Sequence, residues 1–422
     1  MRTQVLRRHC QYIENGYHVR RAIELSEIAL SVACQPSVTS CFPGCATGAD
    51  LMYLLYYSIV CIVYISKSRG KLFKSFVFLK IMYKIKQVNE DFKVFEESAV
   101  KPEEKGEYQY FTLEKNGLNT PESIFLLSEK LKIPKKFFGY AGNKDKRAAT
   151  KQIISIQTNM DIGTIESNRL KLTYLGKGNE RINLGSHEGN GFEIVVRNLE
   201  NEEESDEINF IPNYFDTQRF STLNVEIGEA ILARNFEKAV NLLLQTLEGT
   251  DIFYKITKRL EKNPHDFVSC LRDIDKKTLM LYIHSVQSYL FNYTLSESIK
   301  SNTEAYKTVS YPLGEFYFSS EKPEDFMLAL PGFGTEIGDD DIDMKLMEKM
   351  DEMSITTRSF VIKEIPELSS EGVMRNAFVE VSNLSISDFD DDELNEGKKK
   401  CTVKFSLPKG SYATIVVKSM FG

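Results

Sequence analysis

From residue 83 onward, apolar and polar positions alternate in short runs. Tyr83–Val88 and Phe92–Glu96 read as half-buried strands around an Asn89-Glu90-Asp91 turn. Tyr108–Glu114, Lys135–Ala141, Gln152–Gln157, Leu170–Leu175 and Phe192–Arg197 extend the strand pattern. Among them, Asn119-Thr120-Pro121-Glu122 opens a helix running to about Lys132, with a polar cap, a proline in the first turn and a glutamate behind it. From about Ser221 to Met353 the period becomes largely helical, over Val225–Ala233, Phe236–Leu247 and Thr278–Lys300, with a small strand at Tyr311–Phe318. After Gly372 strand character returns at Ala377–Ser382, Cys401–Ser406 and Tyr412–Val417. This order predicts an α+β protein in which a mostly helical domain, 221–371, interrupts a sheet domain built from 81–220 and 372–422.

Residues 1–80 read differently. Leu51–Ser66 is a run of uncharged, mostly apolar residues followed by Lys67, Arg69 and Lys71. It is shorter than the roughly 17 residues that a membrane helix needs at minimum, and it begins too late for a signal peptide. Three readings stay open: a marginal membrane anchor, a buried or aggregation-prone segment, or sequence upstream of the functional start. The last is favoured because Met82 closely precedes the first organised segment. Membrane contact is expected only if Leu51–Ser66 is a real anchor.

Charge sharpens the picture. The chain of 422 residues carries a net −7, yet Lys130–Arg197 holds 13 Lys/Arg against 6 Asp/Glu, a net of +7. Acid is concentrated at Glu200–Glu207, Asp339–Asp343 and Asp388–Glu396, read as solvated loops. A basic face inside an acidic chain can still gather a polyanion, because local potential decides the encounter. Five of seven cysteines lie in the first 61 residues, so the remainder has no disulfide framework, which suits a reducing compartment. Cys41-Phe-Pro-Gly-Cys45 resembles half a zinc site but no second pair follows at suitable spacing.

The candidate chemistry sits in Phe138–Gln152, which packs one carboxylate, Asp145, among Lys144, Lys146, Arg147 and Lys151 after two glycines. Cations nearby favour a charged carboxylate. Other motifs fail: Gly139-x-x-Gly142 is no phosphate loop, and the five histidines offer no pair at ligand spacing.

Together these segments resemble the TruD family of pseudouridine synthases. The resemblance covers about residues 83–422 and rests on ordered motifs: Asn89-Glu90-Asp91-Phe92 with Lys86 upstream, the Phe138–Gln152 run, and Gly189-Asn190-Gly191-Phe192. It continues through Pro212-Asn213-Tyr214-Phe215 with Gln218-Arg219-Phe220, His284–Asn292, Leu330-Pro331-Gly332, Gly372–Arg375 and Leu407–Thr414. The usual proline before the Glu-Asp-Phe is Asn89 here, which changes turn rigidity and not chemistry. The resemblance implies a catalytic domain around a mixed, largely antiparallel sheet with an inserted, mostly helical α/β TRUD domain. It implies isomerisation of uridine to pseudouridine in RNA, chiefly tRNA at uridine 13 of the D arm, without metal or organic cofactor and with no obligate protein partner. It makes Asp145 the catalytic residue, acting either by promoting loss of a C2′ proton or by bonding to the sugar carbon. Phe192 becomes the platform for a flipped base and Asn190 its hydrogen-bonding support, with Lys86, Lys144, Arg219 and Arg375 as further binding residues. A cytoplasmic location follows, or a nuclear one in a eukaryote. The alternative is a non-catalytic RNA-binding or RNA-folding module on the same scaffold.

Overall fold

A computed structural model describes residues 61–68, 71–78, 83–200, 208–221, 223–303 and 305–422. The chain divides into two units, Met1–Lys84 and Ile85–Gly422. In the first, β1 (Cys61–Ser68) pairs antiparallel with β2 (Lys71–Phe78), Cys61 opposite Phe78. The Cys41/Cys45 half-site and residues 51–60 of the apolar run lie outside the described residues. Among the described residues no helix is long and apolar enough to cross a membrane.

The second unit begins with β3 (Phe92–Glu97), β4 (Tyr108–Asn116), α1 (Thr120–Leu131), β5 (Phe138–Tyr140), β6 (Ala149–Gln157), β7 (Ile165–Ser167), β8 (Leu170–Gly178), β9 (Gly189–Leu199) and β10 (Phe210–Pro212). A helical block follows: α2 (Asn224–Leu232), α3 (Phe236–Leu247), α4 (Asp251–Lys262), α5 (Phe267–Arg272) and α6 (Lys276–Asn302). The hairpin β11 (Ala305–Tyr311) and β12 (Gly314–Ser319), then β13 (Met327–Leu330) and α7 (Asp341–Glu352), complete the middle of the chain. It closes with β14 (Val373–Asn376), β15 (Phe378–Glu380), β16 (Ser382–Ile386), β17 (Asp390–Asp391), β18 (Lys399–Pro408) and α8 (Ala413–Phe421).

The main sheet runs β16-β18-β9-β3-β6-β4-β8-β7, with β17 added to β18 and β5 to β6. Only β3 and β6 pair in parallel; the other pairs are antiparallel. Strands from both ends of the sequence thus complete one mixed sheet, β18 lying directly on β9. Alternation sends Phe111, Leu113, Ile154, Ile156 and Leu172 to one face, where they pack against Ile124 and Leu127 of α1. Each such side chain contributes roughly 1.5–3 kcal/mol by leaving water. The start of α1 is as predicted: Asn119 and Glu122 cap each other's backbone N–H groups.

The helical block has its own core around α6, which is buried along most of its length. Gly228 of α2 lets the two helices meet, since a Cβ there would lie 2.2 Å from the Tyr282 carbonyl oxygen.

Several sequence expectations are corrected. Tyr83–Val88 is not a strand: Lys86 takes a left-handed backbone (φ 57°) that breaks the extended path. Lys135–Phe137 is a 3₁₀ turn before the short strand β5. The stretch Ala377–Ser382 is divided among strands with different partners, β15 on β10 and β16 on β18. Tyr412–Val417 is not a strand; the segment is α8, and its β-branched residues are buried on several sides, so packing overrides strand propensity. The acidic stretch Asp388–Glu396 is not simply solvated. Asp392 is buried and accepts from Arg197 Nη1 at 2.9 Å, while Arg197 Nε donates to Asp91 at 2.9 Å. Asn395 donates to Gln87 at 2.9 Å, so this loop also braces the segment next to Lys86.

Buried carboxylates make stability depend on acid. Burial pushes the Asp216 carboxyl up, but the Lys418 ammonium at 2.6 Å outweighs it and leaves the group below its ordinary value. For Asp392, burial is likewise outweighed, by the Asn198 N–H and neighbouring donors. A carboxyl depressed in the folded state contributes stability above its unfolded value, near 4, and loses it as pH falls through the folded value. Thermal melts should therefore change little through these groups between pH 7 and 5, then fall in midpoint below about pH 4. A midpoint unchanged down to pH 3 would contradict this.

Candidate active site

The edge of the sheet's inner face opens into a cleft of about 370 Å³. Its walls come from the Gly142–Asp145 loop, the start of β9, Lys86, and the turn leading into α8. Asp145 stands here with its side chain 52% exposed, and Lys86 Nζ reaches its Oδ2 at 2.9 Å. The same ammonium lies 4.0 Å above the Phe92 ring. The unusual backbone at Lys86, rare for a residue with a Cβ, is what turns this side chain into the cleft.

The cations next to Asp145 in sequence are not its partners in space. Lys146 pairs with Glu122 at 2.9 Å and Lys151 lies 3.9 Å from Glu114. Lys144 turns inward, its ammonium 2.6 Å from Asn190 Oδ1 and 3.0 Å from Glu96 Oε2, with side chains 7% and 0% exposed for Lys144 and Glu96. The Lys144–Glu96 contact is at ion-pair distance without hydrogen-bond alignment. Lys144 thus meets Asn190 and Glu96.

That contact sets the asparagine's orientation. An ammonium can only donate, so the Asn190 carbonyl must face Lys144 and its Nδ2 is left for the cleft. Two residues further along β9, Phe192 lines the same cleft at 8% exposure. It stacks on Phe405 with ring centroids 5.4 Å apart and meets Phe92 edge-on at 6.2 Å. Phe192 therefore belongs both to the core and to the cleft wall.

The loop bearing Asp145 is held at several points. The Thr120 hydroxyl accepts from the Lys144 N–H at 2.9 Å and itself donates to Gln152, whose Nε2 donates to the Gly142 carbonyl. Lys115 Nζ donates to the carbonyls of Leu118 (2.6 Å), Lys144 (3.2 Å) and Asp145 (3.1 Å). Of the two glycines, Gly139 is demanded by packing, because a Cβ would come 2.4 Å from the Ile182 carbonyl oxygen. Gly142 is not, since a Cβ would make ordinary contacts with His187 and Lys144.

Arg219 and Arg375 are not brought into the cleft lining. Arg219 Nε donates to Ser288 at 3.2 Å. Arg375 clamps Asn213 and the Gly410 carbonyl, its guanidinium 4.3 Å from the Phe215 ring centre, and burial lowers its pKa to about 10. Arg375 thereby braces Gly410 of the cleft wall.

Sequence reasoning missed four residues. Glu96 and Lys115 occupy inward positions of alternating strands, and that alternation was the available signal. His187 lines the cleft, and burial, then the Lys144 charge, lowers its pKa, favouring neutral imidazole. Tyr412, also on the cleft wall, has its phenol pKa raised by burial. Among the described residues, no group of three or more His, Cys, Asp or Glu could hold a metal.

Comparisons with known proteins show the family. The family model described as tRNA pseudouridine synthase D (TruD) matches residues 79–251, 254–312 and 317–420. A Methanosarcina mazei protein named "Probable tRNA pseudouridine synthase D" is 29% identical over 408 residues, covering 79% of this chain and 92% of its own length. A Methanococcus maripaludis relative, "Probable tRNA pseudouridine synthase D 1", is 28% identical and covers 80% and 99%. A solved crystal structure of a TruD protein from Methanosarcina mazei superposes with a TM-score of 0.62 at 28% identity, covering 80% of this chain and 93% of the other. A ten-stranded sheet completed from both ends of the chain, a cleft holding Asp145 with Lys86, Asn190 and Phe192, and a family match over most of the sequence lead to one assignment: the chain belongs to the TruD family of tRNA pseudouridine synthases, which are isomerases.

Proposed function

We propose that this protein converts uridine 13 in the D arm of tRNA to pseudouridine, with Asp145 as the catalytic group. The observation that carries the reading is one cleft holding the Asp145 carboxylate, paired with Lys86, together with the Asn190 amide and the Phe192 ring. In the reaction the C1′–N1 bond breaks, the uracil turns, a C1′–C5 bond forms, the C5 proton leaves and N1 takes up a proton, so the atoms balance as an isomerisation. Throughout, the free base must be held while a carboxylate acts at the sugar. Asn190 Nδ2 is a donor suited to a uracil carbonyl and unsuited to the exocyclic amine of cytosine. Phe192 supplies an aromatic contact for a base taken out of its stack.

Unmodified tRNA transcripts test the target. A transcript with uridine at position 13 should acquire one pseudouridine there, mapped by chemical adduct and primer extension, and a cytidine-13 transcript should acquire none. Modification at another position, or of neither transcript, overturns the assignment. Phe192→Ala should slow the reaction by about 5- to 150-fold, the equivalent of a stacking contribution of roughly 1–3 kcal/mol. A rate unchanged in a variant that folds but melts below wild type would leave Phe192 a core residue alone.

A further inference from the structure

We propose that Lys115 is a positioning residue for the reaction: its ammonium fixes the main chain at Asp145 and thereby aims the catalytic carboxylate. The inference rests on Asp145 being the catalytic group. Lys115 follows Gln109, Phe111 and Leu113 on the inward face of β4, where an apolar side chain would complete the core. It is 3% exposed and, among the described residues, has no carboxylate in ion-pair contact. Its three N–H groups are instead matched by three main-chain carbonyls, those of Leu118, Lys144 and Asp145.

This arrangement is costly, which argues for a purpose. A buried cation without a paired anion loses hydration that neutral carbonyls replace only in part. Burial accordingly lowers the Lys115 pKa to about 8, with Asp145 acting to raise it, Lys144 to lower it and Glu122 to raise it. What the cost secures is geometry. Thr120 and Gln152 hold the loop ahead of the carboxylate, at the Lys144 N–H and the Gly142 carbonyl. Lys115 holds the carbonyl of Asp145 itself, from a strand in the interior of the sheet. It does so without competing with Lys86 for the carboxylate oxygens, and it does not line the catalytic cleft. A displacement of about 1 Å at a reacting group can cost about 10²-fold in rate, so the pinning has a kinetic consequence although Lys115 never touches the substrate.

The test is single-turnover pseudouridine formation on tRNA by Lys115→Met and Lys115→Gln, with thermal melts and the tRNA concentration at half-maximal rate. At saturating tRNA both variants should be slower by about 30- to 100-fold, with half-saturation within about three-fold of wild type. Lys115→Gln is polar but shorter, with two N–H groups for the three carbonyls, so it loses the pinning and carries the test if Lys115→Met fails to fold. A saturated rate within three-fold of wild type in a cooperatively melting variant overturns the proposal. So does a loss confined to half-saturation. Asp145→Asn is run beside them: activity in that variant defeats the catalytic reading itself, whereas an inactive Asp145→Asn with a fully active Lys115 variant defeats this inference alone.

Discussion

Asp145→Asn should lower single-turnover pseudouridine formation by more than about 10³-fold while leaving the fold and tRNA affinity close to wild type. The carboxamide keeps the shape of the side chain but has neither the charge nor the oxygen nucleophile or base that either chemical route requires. Little stability is at stake. The Asp145 side chain is half exposed, and its ion pair is with Lys86, an exposed type of pair worth about 0–1 kcal/mol. The contacts that shape its loop go to main-chain atoms, which the substitution leaves alone. The measurement is pseudouridine mapped on unmodified tRNA, with binding and melting recorded on the same preparation. Product at a tenth of the wild-type rate or more from Asp145→Asn would sink the role assigned to this carboxylate. If wild-type protein bound tRNA and formed no product on any transcript, the non-catalytic RNA-binding reading would take its place.

The sequence revealed which carboxylate to watch, but not what surrounds it. Asp145 stood out because cations crowd it along the chain, yet the side chain that reaches it is Lys86, from a segment 59 residues away in sequence. No local spacing reports that pairing, because a left-handed residue and a loop braced by Arg197 and Asn395 set the approach. The sheet was largely legible, since alternation survives wherever one face is buried. The same alternation contained two further clues. Phe92-x-Val94-x-Glu96 and Phe111-x-Leu113-x-Lys115 each carry a charge at an inward position, and these charges contact Lys144 and the Asp145 carbonyl. Where packing dominates, the pattern misled: Ala413–Phe421 reads as a β-branched run but is buried on several sides as a helix. Arg219 and Arg375 show the converse limit. Their motifs belong to the family, while Arg219 meets Ser288 and Arg375 braces Gly410 of the cleft wall.

Lys144→Met should destabilise the protein by about 3–5 kcal/mol, because it leaves the Glu96 carboxylate buried without its cation. Glu96 would keep only the weak contact of its Oε1 with the Ile153 N–H at 3.3 Å, and its Oε2 has no hydrogen-bond donor to replace the ammonium. Denaturant unfolding measures the loss, and a change below about 1 kcal/mol would show that the pair is not balanced as its burial implies. The double variant Lys144→Met with Glu96→Gln removes both charges and should regain much of the stability, since losing a buried pair together costs far less than breaking it. Activity should not return with it. Without the ammonium at 2.6 Å, nothing obliges the Asn190 carbonyl to face inward, and the amide is free to present either end to the base. Recovered stability with slow turnover would separate the two duties of Lys144, neutralising a buried carboxylate and setting the amide that meets the uracil. Full recovery of both would reduce it to the first.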